Sequence, residues 1–509
     1  DIYRELADLL LSQGRILEAQ QVLELLKVQE LRDFTKDTRA GGKKPEVVLN
    51  QTEEQIKKEN GTLIAFGQKI YECQQTRCNQ LSQLLDQREA LTEQFNQKVQ
   101  GIEKQVRDRR SQDEAFLDPT KLGLKAKEIV EAQPGTVLIY PLVLDDKIWL
   151  LWASKGGIIK TVEVPKVGQQ QLAETVLKFR QLLQTPNSNI AELQATGKQL
   201  YDWLIKPIEP ELKENKIQNL VFSLDRAARY IPMSALFDGE KYLIENYAVS
   251  TVLSADLTNT SDRIPPGTQN TSILALGLSN AVPGFNPLPN VPAELDAIVR
   301  KQPNDTKGIY PGLEFLNQDF NWRSLRDNLL GHKLLHIATH GEFVPGSPDA
   351  SYLLLGTGEK LAIPKISTLQ DLSNVSLVVL SACQTALGEP GQDGNEINGI
   401  SYYFLNAGAK AVMASLWSVN DDSTRVLMQH FYSNLAKETS TAPMTKAAAL
   451  RQSQLSLLRG NTSISDNPEQ RGLVLEARPG SPTPSTVSTS SGFSHPYYWA
   501  PFILIGNSL

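Results

Sequence analysis

The chain has 509 residues, of which 40% are hydrophobic and 21% are charged, and its formal net charge is −6. That length predicts about three domains, and this hydrophobic fraction is enough for a folded core. The acidic balance argues against nonspecific binding of nucleic acid, which needs an excess of cations. No apolar run reaches the roughly 18 residues of a membrane span, so we expect neither nucleic acid nor a membrane as a partner. Because the chain opens at Asp1 with no signal peptide, we expect a fragment of a longer protein.

Residues 1–35 are predicted to form two helices. Leucines recur at helical spacing on both sides of Gly14, which interrupts the pattern. The segment ELADLLLSQGRILEAQQVLELL resembles one tetratricopeptide repeat. A single repeat does not bury its own apolar face, so the resemblance implies the last repeat of a longer array. An ordinary helical hairpin is the alternative interpretation.

Residues 36–118 are predicted to be a linker followed by a long helical arm. Gly41, Gly42 and Pro45 lie in the polar linker. Apolar residues at mostly three- and four-residue steps across the glutamine-rich segment 51–112 indicate an amphipathic helix, or two helices in a hairpin. Such a stripe is more typical of a helix that packs on its own protein than of a coiled coil.

The three cysteines are Cys73, Cys78 and Cys383. They are too few for a disulfide scaffold or for a zinc site of four cysteines. Cys73 and Cys78 would face each other only if a turn separates them. We expect two unpaired thiols and a cytoplasmic location, because disulfides are rare in the cytosol. A disulfide between them would instead favour an exported protein.

From about residue 119 the pattern changes to alternating strands and helices. The strand candidates are short apolar runs at 136–144, 148–154, 219–224, 272–278, 333–339, 375–382, 411–417 and 499–507. The helix candidates lie near 169–184, 189–204, 291–301, 319–330, 397–407 and 422–437. Nearly continuous apolar strands that alternate with helices predict α/β layers around a mostly parallel sheet. The Pro-, Ser- and Thr-rich segment 459–494 is predicted to be a disordered insertion.

Two of the predicted strands end in reactive side chains. His340 follows one strand and Cys383 follows another, so parallel neighbouring strands would place both at one edge of the sheet. A nearby imidazole can create the thiolate that makes a cysteine nucleophilic. The amides of Gly341 and Cys383 could then hold the oxyanion of a tetrahedral intermediate. The alternative is that Cys383 is a small buried hydrophobe.

Three histidines repeat at four-residue spacing in the same region, at 332, 336 and 340. On a helix, this HxxxH pattern would align ligands for a metal. The segment is predicted to be a strand, however, and no carboxylate or cysteine lies at ligand spacing, so we expect no metal site. We expect His336 to be a buried strand residue.

Several motifs in the same order resemble the CHAT peptidases, relatives of caspases and separase that usually follow tetratricopeptide repeats. These motifs are HIATHG, LSACQTALG, FLNAGAKAVMASLWSVND and HPYYWAPFILIGN. The resemblance covers roughly residues 120–509 and implies a caspase-like three-layer α/β sandwich preceded by an all-α region. It implies a degenerate protease half at 119–265 and an active half at 266–509.

The resemblance also implies a cysteine endopeptidase. It assigns His340 as general base and Cys383 as nucleophile, with the amides of Gly341 and Cys383 as the oxyanion hole. In the first half, the segment FSLDRAARYIPMSALFDGEKYLIENYAVS resembles the degenerate domain. Asp225, Arg229 and Pro232 are therefore expected to be structural.

Acidic residues near the expected substrate pocket favour cleavage after a basic residue. SLWSVND resembles the separase segment whose acid binds arginine, which makes Asp421 the first candidate and Asp393 the second, with Glu396 nearby. A carboxylate pairs two-pronged with a guanidinium, which favours Arg over Lys. The alternative role for Asp421 is to cap a helix that begins near Asp422. Trp417 lines the adjacent subsite or, equally well, belongs to the core.

The sequence therefore predicts a Cys–His endopeptidase that acts on protein or peptide substrates without a metal or organic cofactor. A regulatory protein bound by the helical repeats is a further expected partner, since such a contact could order the active-site loops. Self-processing at Arg471 or Arg478 follows if the specificity is for arginine. The alternative function is a catalytically silent scaffold for protein–protein interaction. A nucleotide-binding module is disfavoured because ALGLSNAVPGF lacks the phosphate-binding glycine spacing.

Overall fold

The structure is a computed structural model of the chain. It describes residues 2–37, 123–157, 159–343, 350–369, 371–381, 384–385, 394–437, 444–460 and 492–509, with isolated positions between 69 and 91. Its two compact units are Asp1–Gly41 with Gly123–Leu509, and Gly42–Leu122. Most of the predicted helical arm, the predicted disordered insertion with its two arginines, and the candidates Cys383 and Asp393 lie outside the described residues.

The helices occupy most of the positions that periodicity predicts. In chain order they are α1 (Ile2–Ser12), α2 (Ile16–Asp37), α3 (Leu124–Ala132), α4 (Gln169–Leu183), α5 (Ile190–Leu204), α6 (Glu209–Glu214), α7 (Leu243–Asn246), α8 (Val291–Ile298), α9 (Trp322–Asp327), α10 (Asn395–Asn406), α11 (Asp421–Leu435), α12 (Lys446–Leu458) and α13 (Pro496–Trp499). The two predicted N-terminal helices are confirmed, and Gly14 lies between them with a positive φ of 73°. Their assignment as a tetratricopeptide repeat stays a prediction.

Sixteen strands are described. They are β1 (Thr136–Val143), β2 (Lys147–Ala153), β3 (Ile159–Pro165), β4 (Asn219–Phe222), β5 (Ala248–Thr251), β6 (Ile273–Gly277), β7 (Val299–Arg300), β8 (Tyr310–Leu316), β9 (Leu334–Ala338), β10 (Gly341–Phe343), β11 (Tyr352–Leu354), β12 (Lys360–Ala362), β13 (Leu377–Ser381), β14 (Gln384–Thr385), β15 (Ala411–Ser415) and β16 (Phe502–Gly506). All eight predicted apolar runs form strands.

Twelve of these strands form one continuous sheet, in the order β3-β2-β1-β4-β5-β16-β15-β13-β9-β6-β8-β7. The pairs β1–β2, β2–β3 and β15–β16 are antiparallel and the others are parallel, which confirms the mostly parallel prediction. The strand β16 pairs with β5 on one side and β15 on the other. It therefore joins the first half of the sheet, which contains β1 to β5, to the second half, which contains β6 to β9, β13 and β15. A separate small sheet has the strand order β12-β11-β10-β14.

Helices cover both faces of the large sheet, which confirms the predicted three-layer α/β architecture. Along β13, Leu377 and Val379 belong to one buried cluster and Val378 and Leu380 to another, as alternation across a pleated strand requires. The first cluster includes side chains of α8, α11 and α12, and the second includes side chains of α9 and α10. Over the first half of the sheet, α1, α2 and α3 pack on β1.

Several elements differ from the sequence prediction, which contains neither β3, β5 and the strands of the small sheet nor helices such as α3 and α12. Two further differences have a clear physical reason. The helix expected over 291–301 ends at Ile298, because Val299 and Arg300 form the edge strand β7 beside β8. The strand β8 itself was not predicted, since its sequence YPGLEFL contains the turn-forming residues Pro311 and Gly312. A Cβ atom at Gly312 would lie 1.9 Å from the carbonyl oxygen of Ile273, so this strand can approach β6 only with glycine there.

The expectation of two unpaired thiols in the second unit is wrong. Cys73 and Cys78 form a disulfide, with their Cα atoms 5.0 Å apart. The amide of Cys78 also donates to the carbonyl oxygen of Cys73 at 2.9 Å. A five-residue spacing along a continuous helix would not bring the two side chains together, which is why the sequence pattern favours free thiols.

Among the helices of the described residues, none combines the length and the apolar character needed to cross a lipid bilayer.

Candidate active site

The site is built on the carboxyl ends of four neighbouring parallel strands. In the order β15, β13, β9 and β6, these strands lie side by side in the large sheet. Their carboxyl ends therefore lie at the same edge, where α/β sheets commonly hold their functional groups. The described segments that leave this edge are 278–290 after β6, 339–340 after β9 and 416–420 after β15. In the sequence, β13 is followed by 382–383, which lie outside the described residues.

The strands on either side of His340 pair with the strands on either side of Cys383 in the sequence. Before the two residues, Ala338 of β9 pairs with Ser381 of β13. After them, Glu342 of β10 pairs with Gln384 of β14. Cys383 itself lies outside the described residues, but the strands on both sides of it are paired with the strands on both sides of His340.

His340 is partly exposed and is oriented by the segment that follows β6. Its Nε2 atom lies 2.8 Å from the carbonyl oxygen of Asn286, and its ring lies 5.2 Å from that of Phe285, centre to centre. A carbonyl oxygen only accepts hydrogen bonds, so Nε2 carries the proton and donates it. In the neutral imidazole the lone pair is then on Nδ1, which is the nitrogen able to accept a proton.

Asp421 lies at the same edge and contacts the same segment. The amide of Asn290 donates to its Oδ2 at 2.8 Å, and the Asn290 side chain donates to Asp422 at 2.8 Å. Partial burial raises the pKa of the Asp421 carboxyl, the Asn290 amide opposes this rise, and the nearby charge of Glu294 adds to it. The segment 286–290 thus touches both His340 and Asp421.

The alternative role for Asp421 as a helix cap is wrong. Helix α11 begins at Asp421, and its cap is Asn420, whose side chain accepts from the amide of Ser423 at 3.0 Å. The helix starts one residue earlier than predicted. Asp421 therefore occupies the first helical turn, where a carboxylate is favoured by the helix dipole.

The other substrate-binding candidates differ in where they lie. Trp417 is 2% exposed, and its indole N–H donates to the carbonyl oxygen of Tyr497 at 3.2 Å, which places it in the core. Glu396 lies in the first turn of α10, while its side chain and the whole of Asp393 lie outside the described residues. Gly341 is the first residue of β10 and pairs with Leu353.

The three histidines at four-residue spacing have separate partners. His332 precedes β9 and its Nδ1 lies 2.7 Å from the carbonyl oxygen of Asn328. His336 is buried in β9, as predicted. Within the described ranges, no group of three or more His, Cys, Asp or Glu side chains could hold a metal ion.

The first half of the sheet carries a buried cluster of ion pairs that we call the Asp225 cluster. Asp225 accepts from Arg4 at 2.7 and 3.3 Å and from Lys27 at 3.0 Å. Glu30 pairs with Arg4 at 2.6 Å and with Arg229. Burial by itself would raise the pKa of Asp225, but the surrounding cations, led by Lys27, hold it well below its ordinary value. These contacts fit the structural role predicted for Asp225 and Arg229.

Sequence reasoning missed the segment after β6. Phe285, Asn286 and Asn290 contact His340 or Asp421, yet none of them has a reactive side chain. The available signal was topological, because this segment follows a predicted parallel strand and therefore leaves the same edge of the sheet.

The CHAT domain family matches residues 194–507. Tetratricopeptide repeat protein 28 of Mus musculus is 29% identical over 136 residues, and that of Homo sapiens is 26% identical over 172 residues. These matches cover 27% and 34% of this chain but only 4% and 5% of the two relatives.

Similar solved structures include the Saccharomyces cerevisiae separase–securin complex, at 10% identity and a TM-score of 0.46 over 75% of this chain and 30% of that one. The Arg-specific cysteine proteinase gingipain R is 12% identical, with a TM-score of 0.36 over 66% of this chain and 74% of that one. The family match covers more than half of the chain. The chain belongs to the CHAT domain family, as its motifs predicted.

Proposed function

We propose that this chain is a cysteine endopeptidase in which Cys383 is the nucleophile and His340 the general base. The observation that carries the proposal is the pairing of the strands around the two residues, combined with the hydrogen bond that leaves Nδ1 of His340 as the basic nitrogen. A thiol and an imidazole held on adjacent segments are sufficient for nucleophilic catalysis. Neither group requires a metal or an organic cofactor.

In the proposed reaction, Nδ1 of His340 takes the proton from the Cys383 thiol, and the thiolate attacks the carbonyl carbon of the scissile peptide bond. The amides of Gly341 and Cys383 stabilise the oxyanion that forms. The carbon–nitrogen bond then breaks and His340 returns the proton to the leaving amine. Water hydrolyses the remaining thioester, with His340 again as the base, and restores the free thiol.

We propose cleavage after arginine, with Asp421 as the acid that binds the guanidinium. Asp421 is half-buried at the same edge of the sheet as His340, and one segment contacts both residues. A partly desolvated carboxylate pairs with a guanidinium more strongly than one in bulk water. Asp393 and Glu396 are the second candidates, whereas the burial of Trp417 removes it from the proposed pocket.

We also propose that a protein bound by the N-terminal helices regulates the site. The Asp225 cluster ties α1 and α2 to Arg229. A Cβ atom on Gly394 would lie 2.8 Å from that of Arg229, so the start of α10 packs directly on this arginine. Helix α10 follows the segment that contains Cys383, and α2 packs beside α10. A displacement of α1 and α2 would therefore reach the candidate site.

The test is the hydrolysis of fluorogenic peptides that differ only at P1, with Arg, Lys, Asp or Leu. Turnover that prefers Arg and disappears in Cys383→Ala and His340→Ala would support the proposal. Equal turnover by wild type and Cys383→Ala would refute the role of Cys383 as the nucleophile. No turnover by either, together with no labelling of Cys383 by a peptidyl-arginine chloromethylketone, would favour a silent scaffold. Full activity of the isolated chain would support the catalytic proposal but contradict the regulatory one.

A further inference from the structure

A buried polar network lies directly beneath the candidate site, on four different elements. Oε1 of Glu294 in α8 lies 2.9 Å from Nε2 of His336 in β9 and accepts from the Ser381 hydroxyl in β13 at 3.0 Å. Nδ1 of His336 lies 3.1 Å from the hydroxyl of Tyr432 in α11. All four side chains are at most 2% exposed. We call these residues the Glu294 network.

The hydrogen bonds of the network can be assigned a direction. Oε1 of Glu294 accepts from the Ser381 hydroxyl and from Nε2 of His336, so Nδ1 of the neutral imidazole accepts from the Tyr432 hydroxyl. Burying a carboxylate is costly, and apolar side chains of similar volume often stabilise a core at least as well. We infer that the network offsets this free-energy cost by holding the elements it joins in one geometry, because satisfied polar networks specify a unique arrangement.

Ser381 links this network to both catalytic candidates. It lies two positions before Cys383, and its hydroxyl donates to Glu294. Its carbonyl oxygen accepts from the amide of Thr339 at 3.1 Å, and Thr339 directly precedes His340. A change at the Ser381 hydroxyl would therefore reach the ends of β9 and β13 together.

We propose that Glu294 is a positioning residue that, through Ser381 and His336, locks the ends of β13 and β9 and so keeps Cys383 and His340 in catalytic register. The inference deepens the proposed function and rests on it for its kinetic consequence. Small misplacements of reacting groups are expensive, because an error of about 1 Å can cost roughly a hundredfold in rate. We expect the loss of one hydrogen bond of this network to displace the reacting groups by less than about 1 Å, and so to lower the rate by less than that factor.

Ser381→Ala is the main test, since it removes one hydroxyl and leaves the Glu294–His336 contact intact. The matched control is Ser376→Ala, which removes a buried serine next to the opposite end of the same strand. Within the described residues, the Ser376 hydroxyl has no hydrogen-bond partner. We expect Ser381→Ala to lower kcat about tenfold with little change in KM, and Ser376→Ala to change neither by more than about twofold. Glu294→Gln should act in the same direction as Ser381→Ala.

A second measurement does not depend on activity. Hydrogen exchange of the peptides that span 339–343 and 377–386 should be faster in Ser381→Ala than in wild type and unchanged in Ser376→Ala. Equal kinetics of the two serine variants, or unchanged exchange in Ser381→Ala, would overturn the positioning role. Failure of the proposed function gives a different result, because wild type and Cys383→Ala would then be equally inactive. Hydrogen exchange would still decide whether the Glu294 network holds the ends of β9 and β13 in place. If Ser381→Ala does not fold, Glu294→Gln takes its place in both assays.

Discussion

Replacing Asp225 by asparagine should destabilise the chain strongly. The Asp225 carboxylate is 1% exposed and is surrounded by three cations, Arg4, Lys27 and Arg229, with Glu30 as the other anion. The cluster carries a formal charge of +1 with Asp225 and +2 without it. Removing one partner of a buried ion pair costs about 3–5 kcal/mol, because the remaining charges stay buried without compensation. We expect a loss of that size for Asp225→Asn.

The assay is urea denaturation, since guanidinium chloride would screen the charges under test. The control is Glu128→Gln, which breaks the exposed Lys125–Glu128 pair and should change the free energy of unfolding by less than about 1 kcal/mol. Urea midpoints for both variants and the wild type, measured at neutral pH, give the comparison directly.

The dependence on pH gives a second check. The pKa of Asp225 lies well below its ordinary value of 3.8 in the folded chain. Its contribution to stability is therefore complete above the ordinary value and is lost as the pH falls from there towards the folded pKa. The difference between wild type and Asp225→Asn should shrink on acidification below about pH 4. A difference under about 1 kcal/mol at neutral pH, or one that grows with acid, would refute the reasoning.

Three further predictions follow from the site and the second unit. Asp421→Asn should abolish the preference for Arg over Leu at P1. Because burial raises the pKa of Asp421, the wild-type preference should be lost, as the pH falls, at a higher pH than for an ordinary aspartate. Measuring P1 selectivity against pH checks both expectations. Without reductant, iodoacetamide should modify Cys383 while the disulfide protects Cys73 and Cys78, and an intact mass showing three modifications would contradict this. Wild type, and not Cys383→Ala, should release fragments cut after Arg471 or Arg478, whereas a chain that stays intact while it cleaves arginine peptides would exclude self-processing.

The sheet could be predicted because its strands are nearly continuous apolar runs, a pattern that survives in a single sequence. The small sheet beside the site and the strands β3, β5, β7 and β8 could not. In β8, Pro311 and Gly312 have the local signature of a turn, and the strand forms because glycine allows close approach to the backbone of Ile273. The contact with β6 determines the structure of this segment, and the hydrophobic periodicity of the sequence does not reveal that contact.

The candidate site could be predicted as far as its reactive side chains. His340, Cys383 and Asp421 have residue types that suggest chemistry, and their motifs identify the family. The partner of His340 is a backbone carbonyl, which any residue at position 286 could supply, so no residue type reveals it. The cap of α11 depends on a helix that starts one residue earlier than predicted, and helix boundaries are the least certain part of a sequence prediction.

The most direct test of the proposed endopeptidase is labelling with a peptidyl-arginine chloromethylketone, followed by mass spectrometric mapping of the modified residue. The account predicts one equivalent of label on Cys383. It also predicts that His340→Ala reacts at least about a hundredfold more slowly, because the thiol then lacks its general base. Wild type that is labelled no faster than Cys383→Ala, or labelled at a residue other than Cys383, would contradict the account.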